Sequence, residues 1–478
     1  MQVLKKFSLF LFLIILSACS TSGNKVISDK GGINDFNTDV SEINISDASS
    51  FRVGVLLPLT GVASKHGQGL KNASMLAADD IKNPNLILQY YDTQSTPSGA
   101  RIAVENAIRQ GSKIIIGPLM STEVQAIANE TIYQGVPVIA FSTSQDVLQP
   151  TVYTLGLLIE EQIDRIVSYA AKQNRSRLAL LLPDNITGNA VAKAAVKSAK
   201  KNNIEVTVIG YYQPESSDFS DIIKKMTNYE ERHAEVLRLK AELEERAKAG
   251  DETAIYELKQ IETKEGIGDV GFDMVLIPES GAKLTSAISM FAYYDASFPE
   301  VQFLGTSVWE TGKFNNESVM NKSLFPALSR TYSGYFAGKY NQIFGERASS
   351  LYSFAYDAVA LVNEISRKAD DDLNKNITVS DGYIGINGPF RLFNDGSNQH
   401  SLDIVEIRPS GNVIIDNAEN RFTEEKESMT LPAINATEIE KAPKIFGKDE
   451  QSAQIAIFGA LIAPKDQETP EETNLLAE

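Results

Sequence analysis

Residues 113–141, KIIIGPLMSTEVQAIANETIYQGVPVIAF, place one amphipathic segment between two apolar runs. The runs are Lys113–Ile116 and Val136–Phe141. Short, continuous apolar runs of this kind are typical of strands that are buried on both faces of a parallel sheet. Thr122–Tyr133, between them, has the spacing of a helix, so the stretch predicts a strand, a helix and a second, parallel strand.

The same alternation extends in both directions along the chain and then starts again. It predicts strands at 52–57, 86–91, 178–182, 204–209, 273–277 and 301–304, and helices at 67–81, 160–172 and 188–201. Two similar halves of this kind predict an α/β protein with two Rossmann-like lobes, each with a parallel sheet, and a cleft between them. In such sheets ligands bind beyond the carboxyl ends of the strands.

Composition and motifs argue against several classes of function. The net charge of −17 disfavours nucleic acid and anionic head groups as partners. The three histidines, His66, His233 and His400, have no partner at metal-ligand spacing, and no nucleophile motif or phosphate loop occurs. We therefore expect a protein that is not an enzyme and has no metal or cofactor.

The amino-terminal residues have the order of a secretory signal. Lys5 and Lys6 precede an apolar run that is too short to span a bilayer, and the run ends at Leu-Ser-Ala-Cys (16–19). This ending resembles a bacterial lipobox, which implies a signal peptide at 1–18 and a lipid on Cys19; ordinary signal cleavage is the alternative. We expect a periplasmic protein attached to a membrane through the lipid only, with Ser20 favouring the outer membrane.

Three segments flank or interrupt the predicted lobes. Residues 19–50 are polar and predict a flexible tether. Residues 228–268 hold eleven acidic and seven basic residues and predict an inserted helical hairpin, either a solvated ornament or a docking surface for a protein. Residues 423–478 predict an acidic, largely disordered tail, in which the apolar part of 454–463 packs on the domain's own surface.

Four motifs in order resemble those of type I periplasmic binding proteins of the leucine/isoleucine/valine-binding group. They are PLTG (58–61), YDTQSTPSGA (91–100), IIIGPLMS (114–121) and GVPVIAFSTS (135–144). Within that group, PESGAK (278–283) and GTSVWE (305–310) are similar to alphaproteobacterial lipoproteins known as penicillin-binding-protein activators. The resemblance implies crossovers near residues 157, 307 and 371. The first lobe would then be 51–157 and 308–370, and the second 158–307 and 371–422.

Three loops at the predicted cleft supply candidate ligand-binding residues. In the amino-acid-binding relatives, two loops hold the ligand carboxylate. The corresponding loops here are the one that starts at Ser121 and Thr122 and the one formed by Ser142, Thr143 and Ser144. The resemblance also assigns the ammonium group to Glu279, beside Ser280, or to Glu310, with Trp309 as an apolar wall. The alternative is that these hydroxyls only cap helices, as in capping boxes of Thr122 with Gln125 and of Ser142 with Gln145.

Two functions follow from these observations. The preferred one is a lipid-anchored, non-catalytic binding-protein-like domain that regulates peptidoglycan synthesis by contact with a penicillin-binding protein. The alternative is the substrate-binding lipoprotein of an ABC transporter for amino acids of the branched-chain type. A small carboxylate or an amino acid is the ligand expected in the cleft.

Overall fold

The computed structural model describes residues 50–314, 316–329, 333–368, 372–422 and 443–458. The predicted signal peptide, Cys19 and the tether up to residue 49 lie outside these ranges. No helix within them is both long enough and apolar enough to cross a bilayer.

The described residues form sixteen strands, of which eight, β1 to β4 and β6 to β9, were predicted from the sequence. The strands are β1 (Phe51–Leu57), β2 (Leu86–Asp92), β3 (Ile114–Ile116), β4 (Val138–Ala140), β5 (Val152–Thr154), β6 (Arg177–Pro183), β7 (Glu205–Tyr212), β8 (Met274–Leu276), β9 (Gln302–Leu304), β10 (Leu324–Leu328), β11 (Tyr383–Gly385), β12 (Gly388–Leu392), β13 (Asn398–His400), β14 (Leu402–Glu406), β15 (Val413–Asp416) and β16 (Lys444–Phe446).

Helices connect most of these strands, as expected for parallel pairing. They are α1 (Ser64–Ile81), α2 (Pro97–Arg109), α3 (Ser121–Gln134), α4 (Ile159–Lys172), α5 (Ile186–Lys201), α6 (Ser220–Met226), α7 (Tyr229–Lys248), α8 (Glu252–Ile261), α9 (Gly281–Tyr293), α10 (Ser333–Phe344), α11 (Ser350–Ser366), α12 (Leu373–Ile377) and α13 (Glu450–Phe458).

Two large sheets define two lobes. The first lobe is built on a sheet of order β2-β1-β3-β4-β5, in which every pairing is parallel. The second is built on a sheet of order β15-β14-β10-β9-β8-β6-β7-β16, in which only β14 and β15 run antiparallel to their neighbours. All residues of β3 and β4 are buried, which explains their continuous apolar sequence. The predicted α/β fold with two lobes is confirmed.

The chain changes lobe at positions that differ in part from the implied crossovers. The first change lies between β5 and α4, close to residue 157 as implied. The strand β10, a fully buried LFPAL run, pairs with β9 in the second sheet, so the second change lies beyond residue 328 rather than at 307. Residues of β12 pack in the first core and β14 belongs to the second sheet, which places the third change near residue 401 rather than 371.

Buried hydrogen bonds tie the first and third connections together. The Asn398 side-chain amide donates to the carbonyls of Thr154 and Gly156, at 2.8 Å each. His400 Nε2 lies 3.1 Å from the Leu155 carbonyl oxygen, and the His400 amide donates to a Glu161 carboxylate oxygen at 3.1 Å. Because these groups are buried, losing one partner would leave the other unsatisfied. The connections are therefore held as one unit.

The insertion forms the predicted hairpin from α7 and α8. The apolar stripe of α7 packs inside the hairpin, where Val236 and Leu243 are buried together with Ala254 of α8. At the base of the hairpin, the buried Arg232 guanidinium donates to the Tyr294 carbonyl at 2.8 Å. The stripe itself is thus not available to a partner; the base of the hairpin belongs to the second lobe.

Part of the predicted tail is structured. Residues 444–446 form β16, which pairs in parallel with β7, and α13 buries Ala453, Ile457 and Phe458 in the core of the second lobe. The expectation that 423–478 is largely disordered is thus wrong for 443–458. The expected packing of the apolar segment on the domain's own surface is found in its described part, up to Phe458.

Candidate functional site

The first-lobe edge, meaning the loops that follow β1 to β4, is organised by Asp92. One carboxylate oxygen accepts hydrogen bonds from the amides of Leu59 (2.9 Å), Thr60 (3.1 Å) and Gln94 (2.8 Å). The other accepts from the Thr60 hydroxyl at 2.7 Å. Burial opposes ionisation of Asp92, but these four bonds outweigh it and lower its pKa. The charged carboxylate thereby fixes the loop after β1.

Glu123 holds the start of α3 from beneath. It is fully buried, and its carboxylate accepts from the Thr93 hydroxyl at 2.7 Å and from the Met120 amide at 3.2 Å. Burial raises the pKa of Glu123, against the effect of these hydrogen bonds. The sequence interpretation missed this residue, although an acidic side chain in the first turn of a helix is a recognisable signal.

Ser121 and Thr122 are the first two residues of α3, and neither caps it. The cap position is Met120, whose amide is bound by Glu123, so the capping box of Thr122 with Gln125 is wrong. Ser121 is half-buried and Thr122 exposed. Their amides belong to the first turn and have no acceptor within the helix. This helix start can therefore donate to an anion.

The loop after β4 uses its three hydroxyl residues differently. Ser142 is buried, and its hydroxyl accepts from the Ser144 amide at 3.2 Å. Its carbonyl accepts from the Thr154 hydroxyl. Ser144, rather than Ser142, caps the short 3-10 helix Gln145–Val147, accepting from the Asp146 amide at 3.2 Å, so the capping box of Ser142 is wrong. Thr143 is exposed.

The second-lobe edge, meaning the loops after β6 to β9, holds Glu279 in place. One Glu279 carboxylate oxygen accepts from the Tyr212 hydroxyl at 2.6 Å, and the other from the Ser280 amide at 3.1 Å. Burial, together with the bond to Glu279, raises the pKa of Tyr212, so the phenol stays protonated and donates. Glu279 is half-buried and Ser280 exposed.

Trp309 is part of the core and is not a wall of the cleft. Its side chain is fully buried, its ring lies 6.4 Å from that of Phe325, and its Nε1 donates to the Glu279 carbonyl at 2.9 Å. A Cβ atom at Gly305 would lie 2.2 Å from the indole, so this contact requires glycine. Trp309 thus positions Glu279 from behind. Glu310 follows it, half-buried, in the 3-10 helix Ser307–Thr311.

The candidates thus form two sets. Ser121, Thr122 and the loop of Ser142 lie at the first-lobe edge, whereas Glu279, Ser280 and Trp309 are joined by hydrogen bonds or chain connection at the second. Across the described ranges, no group of three or more His, Cys, Asp or Glu side chains is placed to hold a metal ion.

A cavity of about 230 Å³ lies elsewhere in the second lobe. Its lining includes Gln302 and Leu324, which begin β9 and β10, together with Arg175 and Glu406. It therefore opens at the amino ends of the parallel strands, opposite the edge that holds the candidate residues.

Comparisons with known proteins agree with the fold. Residues 50–233 match the family model described as periplasmic binding protein. The Leu/Ile/Val-binding protein of Citrobacter freundii is 22% identical over 194 residues, which are 38% of this chain and 53% of that protein. The chain thus spans about half the length of this curated relative.

Solved structures align over a larger share of the chain. A Rhodospirillum rubrum protein assigned to a branched-chain amino acid ABC transporter is 15% identical, with a TM-score of 0.61 over 77% of this chain and 100% of that one. A solute binding protein of Rhodopseudomonas palustris BisB5, in complex with 3,4-dihydroxybenzoic acid, is 15% identical, with a TM-score of 0.53 over 78% of this chain and 97% of that one. The protein therefore has the type I periplasmic binding protein fold, and its residues 50–233 match the sequence model of that family.

Proposed function

We propose that this protein is a non-catalytic receptor that binds a small carboxylate solute between its lobes. The observation that carries the proposal is the first-lobe edge. There the exposed hydroxyls of Thr122 and Thr143 accompany the first two amides of α3, while Asp92 and Glu123 fix the surrounding loops. A helix start with nearby hydroxyls offers several donors to one carboxylate.

The ligand class is narrowed by the second-lobe edge. Glu279 already accepts two hydrogen bonds, but an ionised carboxylate has about four acceptor positions, so an ammonium group remains a suitable further partner. That favours an amino acid, as expected for the substrate-binding lipoprotein of an ABC transporter. Among the relatives, the Citrobacter freundii protein binds Leu, Ile and Val, and the Rhodopseudomonas palustris protein holds an aromatic acid. Both classes of ligand carry a carboxylate.

Thermal unfolding in the presence of ligands tests this proposal. Amino acids, benzoates and muropeptide fragments would be compared, since a ligand at 100 times its Kd stabilises by about 2.7 kcal/mol. The double variant Thr122→Ala with Thr143→Ala should reduce or abolish the shift. Thr253→Ala, an exposed threonine of α8, is the matched control and should leave it unchanged. An undiminished shift in the double variant would exclude the first-lobe edge as the binding site.

A second function, regulation of peptidoglycan synthesis by contact with a penicillin-binding protein, is supported by the hairpin. Although its stripe is buried, the hairpin presents Leu237, Ile255 and Tyr256 to solvent, each more than half exposed. Ile255 and Tyr256 are adjacent in α8, and exposed apolar side chains that form a contiguous patch mark protein contacts. The resemblance of the PESGAK and GTSVWE segments to activator lipoproteins names the partner.

Surface substitutions test the contact better than a deletion. Removing residues 229–265 would also remove Tyr229 and Arg232, which pack on Tyr294. Leu237→Glu combined with Tyr256→Glu should instead preserve the fold and abolish co-purification with the penicillin-binding protein. The control, Tyr133→Glu, alters an 85% exposed aromatic residue on the first lobe and should retain the partner. Unchanged co-purification of the double variant would show that the hairpin does not make the contact with the penicillin-binding protein.

The proposed location is the periplasm, with the protein held at the outer membrane by the lipid on Cys19. The supporting observation is the lipobox-like sequence that ends in the sole cysteine of the chain. Cys19→Ala should move the protein from the outer-membrane fraction to the soluble periplasmic fraction. Retention in the membrane fraction would contradict a lipid anchor, and wild-type protein in the inner membrane would favour the transport function.

A further inference from the structure

The ammonium group of Lys448 is enclosed at the second-lobe edge. Its Nζ lies 2.9 Å from an Asp184 carboxylate oxygen, 3.0 Å from the Asn189 side-chain oxygen and 4.9 Å from the centre of the Tyr211 ring. An ammonium group has three N–H donors, and a carboxylate, an amide oxygen and an aromatic face all attract it. Only 13% of the Lys448 side chain is exposed, so water screens these contacts weakly.

The partners of Lys448 are positioned by the second lobe itself. The Asp184 amide donates to the Tyr212 carbonyl at 2.7 Å, and Asn185 caps α5, its side-chain oxygen accepting from the Gly188 amide at 2.9 Å. Asn189 lies within α5, and Tyr211 is fully buried in β7. None of these contacts involves residues 443–458. The hydrogen bonds that position Asp184 and Asn185 thus come from the second lobe alone, while the carboxy-terminal segment supplies the cation and packs against Tyr211.

The segment that carries Lys448 is fastened on both sides of it. Before it, β16 adds three residues to the edge of β7, and Gly447 has a positive φ of 78° and approaches the Tyr211 carbonyl too closely for any Cβ atom. After it, Asp449 accepts from the Ser452 amide at 2.8 Å, and α13 packs against α5. We define residues 443–458 as the clasp.

We propose that Asp184, Asn189 and Tyr211 form a binding site for a primary ammonium group, which Lys448 of the clasp occupies as a tethered ligand. The site binds primary alkylamines, including the side chain of a lysine from another peptide. Each of these ligands competes with Lys448 for the site. It is separate from Glu279, because Tyr211 and Tyr212 are adjacent in a strand and point to opposite faces of the sheet. Its occupancy by a free amine loosens the clasp from β7.

Chemical rescue tests the site. Lys448→Ala removes the ammonium group together with the stem that carries it, so it should lower the Tm and leave space for a free amine. Addition of n-propylammonium, which matches the deleted atoms, should recover at least about half of that loss, because a ligand that binds only the folded state stabilises it. Neither n-propanol nor tetramethylammonium should do so, since the first lacks the charge and the second the N–H donors. Adding Asp184→Asn to Lys448→Ala should abolish the recovery.

The control is Lys201→Ala, because Lys201 also pairs with an aspartate, Asp164 at 2.8 Å, but remains 65% exposed. Its Tm should change little and should not respond to n-propylammonium. Absence of recovery in Lys448→Ala, or equal recovery with Asp184→Asn present, would overturn the proposal.

A second measurement needs no variant and covers the case in which Lys448→Ala does not fold. In the wild-type protein, n-butylammonium should speed hydrogen exchange of amides in the clasp relative to sodium chloride at equal ionic strength, while exchange in β3 stays constant. Exchange in the clasp that is unaffected by the amine would overturn the proposed competition.

Discussion

The first-lobe edge and the second-lobe edge are built in different ways. At the first-lobe edge, Asp92 and Glu123 bind backbone amides and hydroxyls of adjacent loops, and Thr122 and Thr143 are left exposed. At the second-lobe edge, the polar groups are already engaged by the chain itself: Glu279 by Tyr212 and Trp309, and Asp184 by Lys448. The first edge therefore offers donors to a ligand, whereas the second is largely committed to its own structure.

For the proposed ligand, this difference implies that the two lobes would contribute unequally to binding. A ligand at the first-lobe edge replaces water on exposed groups. At the second it would use the remaining acceptor positions of Glu279, whose geometry is already restricted by the bonds from Tyr212 and the Ser280 amide. Affinity should thus depend mainly on the first lobe, while damage to the second edge should appear mainly as lost stability.

The largest expected effect is that of Trp309→Ala. It removes a fully buried indole and its hydrogen bond to the Glu279 carbonyl, and should cost about 3–5 kcal/mol in the free energy of unfolding. Urea unfolding would measure it. Tyr133→Ala, which truncates an 85% exposed aromatic of the first lobe, should stay within about 0.5 kcal/mol. A cost for Trp309→Ala below about 1 kcal/mol would contradict a structural role.

The next largest effect is a dependence of stability on pH, caused by a buried carboxyl group of the first lobe that lies away from the first-lobe edge. Asp357 of α11 is buried; it accepts from the Ile386 amide at 2.7 Å and the Asn387 side chain at 3.1 Å, and burial raises its pKa to about 7. The folded pKa exceeds the unfolded value of 3.8, so the stabilisation by this group is complete below that value. It is lost as the pH rises through about 7. Asp357→Asn should flatten this part of the stability profile without altering ligand binding.

Unfolding by urea between about pH 4 and pH 8 would measure the Asp357 effect, of up to about 4 kcal/mol. Asp92→Asn provides a contrast of opposite sign. The folded pKa of Asp92 is lowered, so its contribution is present above the unfolded value of 3.8 and lost as the pH falls through the folded pKa. An unchanged profile in Asp357→Asn above pH 4 would contradict the assignment.

The smallest expected loss of stability is that of Asp92→Ala. The four groups that donate hydrogen bonds to Asp92 are partly exposed, so water can take the place of its carboxylate. The loss in the free energy of unfolding should therefore be about 1 kcal/mol. Ligand binding should weaken more, because the loop beside Thr122 and Thr143 loses its anchor. Thermal shift with the active ligand compares the two effects. Equal ligand-induced shifts in Tm in the wild type and the variant would contradict the proposed difference between the two edges.

The fold was predictable because each buried parallel strand leaves a continuous apolar run in the sequence. Runs such as KIII and VPVIAF mark strands that are covered on both faces of the sheet and paired with another strand along both edges. The crossovers were not predictable in the same way. LFPAL reads as a strand in either lobe, and only its pairing with β9 and β14 assigns it to the second sheet.

The candidate site was predicted less well, because sequence shows which residues follow a strand but not which way they face. Trp309 follows β9 as a cleft residue would, yet its indole turns inward against Gly305. Ser142 and Ser144 both precede possible acceptors, and only the backbone path makes Ser144 the cap. Lys448 was missed because its partners lie more than two hundred residues away in the sequence.

The position of β16 in the second sheet has a consequence for how the chain folds. Lys444 pairs with Val208, so the outer strand of this sheet is synthesised long after the strand that it completes. By contrast, the five strands of the first sheet all lie within residues 51–154. Closing so long a loop costs entropy before any contact repays it. The second lobe should thus reach its native state last, with the edge of β7 uncovered until residues 444–446 have been synthesised.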